Sequence, residues 1–153
     1  MLDEEDWRSA LTWMILPVGR TWYRAVSKAF EDFGMSFSSA APILAIAKVG
    51  DGSRQNVIAE AIGVDRAAMA RSIDQLEELG LVERRMDPGD RRGRTLHLTR
   101  QGHSLAEDLG VIAAQIRERV LASVSAADGR AAVRTLQRLE HASAAMLQSA
   151  NQE

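Results

Sequence analysis

Apolar residues recur at steps of three and four over most of this chain. From Leu11 the series Leu11, Ile15, Val18, Trp22, Val26, Ala29 and Phe33 stays within an arc of about 100° on a helix, which predicts a long amphipathic N-terminal helix. Pro17 lies inside that run and removes one backbone donor, so a kink or break is expected near residues 13 to 17. Ser36 is placed to open the next helix, with Ile43, Leu44 and Ala47 as its apolar set. Two further stripes occur late in the chain. One is Leu105, Leu109, Ile112, Ile116 and Val120. The other is Val133, Leu136, Leu139, Ala142 or Ser143, and Met146, after a turn from Ser125 to Gly129 in which Ser125 and Asp128 have the spacing of a capping box.

Between these stripes the pattern shortens. Ser53 is placed to cap a helix whose Val57, Ile58, Ala61 and Ile62 make one apolar face before Gly63 turns the chain. A second helix begins at Asp65, whose carboxylate can accept from an amide of the first turn, and runs through Ile73, Leu76 and Leu79 to Gly80. Val82 to Met86 and Arg94 to Leu98 then read as two strands joined by the loop from Asp87 to Gly93, and Thr99 caps the helix beyond. Two short helices meeting at a glycine, with a hairpin directly after them, have the form of a winged helix-turn-helix. The predicted fold is mainly α, with a small β-hairpin wing.

Three segments of this region together resemble the MarR-type bacterial transcription regulators. Asn56 to Arg66 is similar to the family's entry into the helix-turn-helix. Leu76 to Arg84, reading LEELGLVER, resembles its exit into the wing. Asp87-Pro88-Gly89-Asp90-Arg91-Arg92 resembles the wing signature, and Leu98-Thr99-Arg100-Gln101-Gly102 the segment that leads out of the wing. The resemblance implies a single domain over residues 1–153, with about 8–35 and 100–150 as dimerisation helices and about 36–99 as the winged unit. The apolar stripes on the flanks fit two readings, closure of one globular core or an isologous dimer. The resemblance favours the homodimer, whose two-fold axis implies a pseudo-palindromic operator in double-stranded DNA with half-sites roughly 34 to 36 Å apart.

Composition narrows the chemistry. The chain has 153 residues, no cysteine and a net charge of −2, so thiol redox sensing, thiolate metal sites and disulfides are excluded. Charge is unevenly spread. Asp3, Glu4, Glu5 and Asp6 crowd the N-terminus, whereas Arg84, Arg85, Arg91, Arg92 and Arg94 stand against only Asp87 and Asp90, a local charge of +3. Such a patch, presented twice by a dimer, implies DNA binding that weakens with salt. No stretch reaches membrane-spanning length, and no basic start precedes an apolar run, so a cytoplasmic protein with no membrane contact is expected.

The resemblance also assigns roles along the second helix. Asp65 falls at the capping position, Arg66 at the first basic position, expected on a phosphate or base edge, and Arg71 where an arginine reaches guanine. An intrahelical pair with Asp74 or Gln75 is the alternative for Arg71. Ala67, Ala68 and Ala70 replace hydroxyl residues usual in the family, leaving methyl contact with thymine in place of hydrogen-bonded readout. Ser53 and Gln55, where the first helix of the pair begins, complete that side of the candidate DNA surface. Arg91 and Arg92 are the wing candidates for a narrow minor groove or phosphate, with Asp90 orienting one of them. A self-neutralised surface turn is the alternative.

Ligand response is implied by the family alone, whose members commonly release DNA on binding a small aromatic or phenolic acid. Trp13, Arg20 and Arg24 share a helix face opposite the Leu11 stripe, where an aromatic ring and guanidinium groups can hold a planar carboxylate; a solvated face with one exposed Trp is the plain alternative. His97, His103 and His141 are too dispersed for a metal site. No nucleophile and base at working spacing, phosphate-cradling loop or cofactor motif is present, so no catalysis and no cofactor are expected. The sequence therefore reads as a sequence-specific repressor released by an aromatic effector. Its rival is a winged-helix module for protein contacts or architectural DNA binding without an effector.

Overall fold

The computed structural model describes residues 6–150, apart from the side chains of Arg91 and Arg92. Asp3, Glu4 and Glu5 of the acidic N-terminus, and the two wing arginine side chains, therefore lie outside the described residues. In chain order the elements are α1 (Trp7–Asp32), α2 (Phe37–Val49), β1 (Ser53–Arg54), α3 (Gln55–Ile62), α4 (Arg66–Glu78), β2 (Val82–Asp87), β3 (Asp90–Leu98), α5 (Arg100–Val120) and α6 (Ala126–Ala150). They form two compact units, one running to Ile116 and the other starting at Arg117.

In the first unit α2 is the hub, packed against α1, α3, α4 and β3. That explains its composition. The apolar set expected from periodicity is Ile43, Leu44 and Ala47, but Ala40, Ala41, Pro42, Ile43, Ala45 and Ile46 are all buried while Ala47 is exposed. A helix surrounded by partners is apolar nearly all round and carries little periodic signal. Phe30, Ile43, Ile46, Ile58, Ile73, Leu76, Leu96 and Leu109 are fully buried together, with Met69 beside them. Burying each large apolar side chain contributes roughly 1.5 to 3 kcal/mol relative to leaving it in water.

The caps obey the expected chemistry with one exception. Ser36, Asp65, Thr99 and Ser125 each accept a first-turn amide, from Ser39, Ala68, Gly102 and Asp128 respectively. Gly63 and Gly80 both take φ of 68°, the left-handed region that lets a helix end there without a Cβ clash. Ser53 is the exception. It belongs to a third strand, pairs with Leu96, and donates its hydroxyl hydrogen to the Gly50 carbonyl at 2.8 Å. The residue capping α3 is Arg54, which makes no side-chain cap bond.

Several boundaries also differ from the periodicity. α1 is one helix through Pro17, with no break; the missing amide would have met the carbonyl of Trp13, which lies in a stretch of exposed residues open to solvent. In α3 the buried residues are Ile58 and Ala59, whereas Val57 and Ala61 are exposed. In α4, Met69 takes the buried place expected of Leu79, which ends the helix in solvent. The expected seven-residue loop is a two-residue turn at Pro88–Gly89, because both strands continue to the Asp87–Asp90 pair. The sheet order is β1-β3-β2, antiparallel throughout.

Most of the α1 stripe is exposed to solvent. Val26 and Phe30 reach the core, but Trp7, Trp13, Met14, Ile15, Leu16, Val18, Trp22 and Tyr23 are exposed. The α5 stripe is half used, with Leu109 buried, Leu105, Ile112 and Ile116 packed against the core, and Val120 exposed. In the second unit α6 buries none of its residues and shows Val133, Leu136, Met146 and Leu147 to solvent.

Candidate nucleic-acid interface

Helix α4 starts with a well-made N-terminus. Asp65 accepts the Ala68 amide at 2.8 Å, which fixes the first turn and leaves Arg66, Ala67 and Arg71 exposed, with Ala70 half-buried beside them. Arg71 is not drawn into an intrahelical pair with Asp74. Asp74 instead receives the guanidinium of Arg84 at 2.7 Å. Ala68 and Met69 face another way, into a cavity that Ser72 of the same helix also lines.

Arg84 joins the wing to the helix pair. Its guanidinium bonds Glu77 and Asp74 of α4 and reaches Gln55 Oε1 at 3.3 Å, while its backbone amide donates to Glu77 at 2.9 Å. Three of the candidate DNA-contacting residues also have contacts within the fold. Gln55 is half-buried and accepts from Arg84, Ser53 is held in β1, and Ala68 is turned from the exposed face.

The positive patch is likewise smaller than the sequence suggests. Arg84 is spent inside the fold, and Arg85 is paired with Glu83. A cation not singled out from sequence joins the wing from the other side. Arg54 donates through Nε and Nη2 to Asp87 Oδ2, at 2.9 and 2.7 Å, and through Nη2 to Asp90 at 3.3 Å. Nothing local signals this, because the partners are 33 and 36 positions apart.

The site's carboxylates carry a pH signature. Asp65 is held below the ordinary 3.8, first because its charged form accepts the Ala68 amide. Asp87 is held below the same value by the Gly89 amide and then by Arg54. Unfolded chain takes up these protons first as pH falls. The stability they contribute is therefore full above about pH 3.8 and declines as pH drops through the lower folded-state values. A variant with Asp65→Asn and Asp87→Asn is expected to show a flatter decline of melting temperature than wild type between about pH 5 and pH 3. Parallel curves would show that these two groups do not set the acid limb.

Trp13, Arg20 and Arg24 do share one face of α1, but that face is open. Trp13 and Arg20 border a shallow depression with Thr12, Leu16 and Pro17, and Arg20 and Arg24 border another with Ile15, Leu16, Gly19 and Tyr23. A more enclosed cavity of about 240 Å³ lies between α1, α2 and α4, lined by Tyr23, Phe37, Pro42, Ile62, Met69 and Ser72 among others. Tyr23 meets Phe37 edge-on, with ring centroids 5.0 Å apart. None of the described residues lining this cavity is charged. Its residues come from four separate segments with no common period, so sequence reasoning had no signal for it.

The helix pair, the three-stranded sheet and the hairpin after α4 fall largely within residues 33–93, and that segment matches the MarR family. The match assigns residues 33–93, the segment that holds the helix pair and the hairpin, to the MarR family. Among solved structures it is similar to CouR from Rhodococcus jostii RHA1, which was solved bound to p-coumaroyl-CoA. The identity is 26% and the TM-score 0.75, over 84% of this chain and 90% of that one. A MarR-family regulator from Rhodococcus sp. RHA1 matches at 25% identity and TM-score 0.74, over 86% and 93%. One from Methanosarcina mazei Go1 matches in fold at 22% identity and TM-score 0.74, over 90% and 99%. MarR-family proteins are DNA-binding regulators and not enzymes. No helix among the described residues is long and apolar enough to cross a membrane.

Proposed function

We propose that this chain acts as a homodimeric, sequence-specific repressor that reads a pseudo-palindromic operator and is released from it by a small aromatic ligand. The observation that carries the reading is the division of α4 into two faces. Arg66, Ala67 and Arg71 lie toward solvent where a major groove would be met, with Ala70 half-buried beside them, while Ala68, Met69 and Ser72 line the cavity. An occupant of the cavity thus touches the helix that reads DNA. Release then arises from differential affinity for two positions of that helix, the only way a ligand shifts an equilibrium. Exposed apolar surface along α1 and α6 supports the dimer, since a monomer rarely shows so much of it.

The cavity favours the aromatic part of the expected effector over its acid group. A carboxylate enclosed without a counter-charge is strongly disfavoured, and the lining offers hydroxyls and rings but no cation. Neutral aromatic compounds are therefore expected to bind there more tightly than their matching acids.

Fluorescence anisotropy on the chain's own upstream intergenic duplex, against a scrambled duplex, tests this reading. The expected result is selective binding that weakens with salt, and release by amides such as cinnamamide at lower concentration than by cinnamate. Replacing both Arg91 and Arg92 by Ala should lower affinity on every sequence and reduce the salt slope by roughly 0.9 for each phosphate no longer neutralised. Weak binding equal on both duplexes would reject the regulator. Selective binding that no aromatic compound relieves would reject release by ligand.

A further inference from the structure

We propose that Arg54 is a positioning residue for the wing, a side-chain strut that carries the support of β1 out to the hairpin's turn; this rests on the DNA-binding reading above. The backbone support of β1 is short. It pairs only Ser53 with Leu96 and Arg54 with Thr95, so β3 has no third-strand partner from Arg94 to its start at Asp90. A two-stranded ribbon alone is at best marginally ordered in water. The Arg54 side chain covers that gap.

The contacts are those of a built clamp. Two N–H groups of Arg54 converge on Asp87 Oδ2, and Nη2 also reaches Asp90, so one guanidinium ties together the two residues that close the hairpin. Asp87 is only 16% exposed, and its other oxygen accepts the Gly89 amide at 2.9 Å, which links the clamp to the turn itself. The floor is Gly93. A Cβ there would stand 3.2 Å from Asp87 Cβ, 3.3 Å from Asp90 Oδ2 and 3.4 Å from Arg54 Nη2, so any larger residue crowds all three. Arginine also cannot serve the other need at this position. It has no acceptor with which to cap α3, and the cap bond is absent. Its guanidinium instead ties the start of α3 to the tip of the wing.

Electrostatics points the same way. Asp87 and Asp90 sit beside Arg91 and Arg92 in sequence, on the element proposed to approach phosphates. A cation from the body of the domain opposes those carboxylates, and pre-ordering the hairpin removes an ordering cost that DNA binding would otherwise bear.

The test is operator binding by Arg54→Ala, Arg54→Lys and Asp87→Asn, with hydrogen exchange of the amides from Gly89 to Arg94. Arg54→Ala is expected to weaken binding about tenfold because the hairpin is no longer pre-ordered, with an unchanged salt slope and faster exchange confined to the turn. Arg54→Lys keeps the charge but not the paired donors, so it should recover only part of the affinity. In the Asp87→Asn background Arg54→Ala should add little. Full recovery by Arg54→Lys together with a slope lower by roughly 0.9 in Arg54→Ala would make Arg54 a direct phosphate contact and overturn the proposal. Wild-type affinity and exchange in Arg54→Ala would overturn it too. If Arg91→Ala with Arg92→Ala leaves binding intact, the wing's DNA role is what fails. Exchange at the turn then still decides the clamp.

Discussion

Alanine at Gly102 is expected to destabilise this protein by about 3 kcal/mol or more, at or beyond the upper end of ordinary overpacking. A Cβ built there would lie 2.0 Å from the carbonyl oxygen of Leu81 and 3.1 Å from its carbon. These are backbone atoms, so no rotamer change relieves the clash. The carbonyl is also committed, since it accepts the Thr99 amide at 3.1 Å, and the Thr99 hydroxyl donates to the neighbouring Gly80 carbonyl at 2.7 Å. Gly102 is thus where the first turn of α5 presses on the chain as it leaves α4 for the wing. For a chain of this length the melting temperature should fall by roughly 6 to 12 °C. Gly110→Ala is the internal control. It lies in the same helix with nothing within 4 Å of its added Cβ, and should raise stability by about 0.5 to 1 kcal/mol through helix propensity. Equal melting of wild type and Gly102→Ala would show that the close approach is not part of the folded state in solution.

Glutamate at Ala67 is expected to abolish operator binding, by about 100-fold or more, while leaving the fold intact. Ala67 is exposed in the first turn of α4, where a carboxylate interacts favourably with the helix N-terminus. Folding therefore gives no reason for weaker binding. DNA does, because like charges brought together at an interface cost several kcal/mol, and each 1.4 kcal/mol is tenfold in affinity. A homodimer would suffer the penalty at both half-sites. Ala67→Gln, nearly the same shape without the charge, should retain most of the binding, which separates repulsion from bulk. Anisotropy together with thermal melting reads both quantities. Binding of Ala67→Glu within about threefold of wild type, less than 1 kcal/mol, would mean that this turn does not face DNA.

The parts of this fold legible from sequence share a physical property, which is short range. Asp65 caps an amide three residues away, Thr99 does the same, and Gly63 and Gly80 end helices through their own φ. These signals act within one turn, so adjacent residues specify them. The hairpin is legible because its strands flank a turn, although the expected loop is too long, since Asp87 and Asp90 still pair. Strand β1 is not legible. Two residues that pair 43 and 41 positions downstream have no periodicity of their own.

The same distinction separates the candidate site. The exposed positions of α4 can be read from helical spacing, but charge counting in the wing treats every arginine as available. Arg84 in fact serves Glu77, Asp74 and Gln55, and Arg54, which no local pattern marks, holds Asp87 and Asp90. An ion pair depends on which side chains the fold brings within reach, and a linear count is blind to that. The cavity is the same case, since Tyr23, Phe37, Ile62 and Ser72 belong together only when α1, α2, α3 and α4 are packed.

By itself, then, the order of residues determined the helices, the caps at Ser36, Asp65, Thr99 and Ser125, the turn at Gly63, the hairpin and the family they resemble. Each depends on backbone propensity and on contacts within a few positions. Tertiary structure decided that Arg84 pairs with carboxylates of α4, that Arg54 reaches Asp87 and Asp90, and where an enclosed cavity forms whose described lining carries no charge. Those depend on side chains far apart in sequence sharing one small volume, where the partner a charge finds, or fails to find, is set by packing.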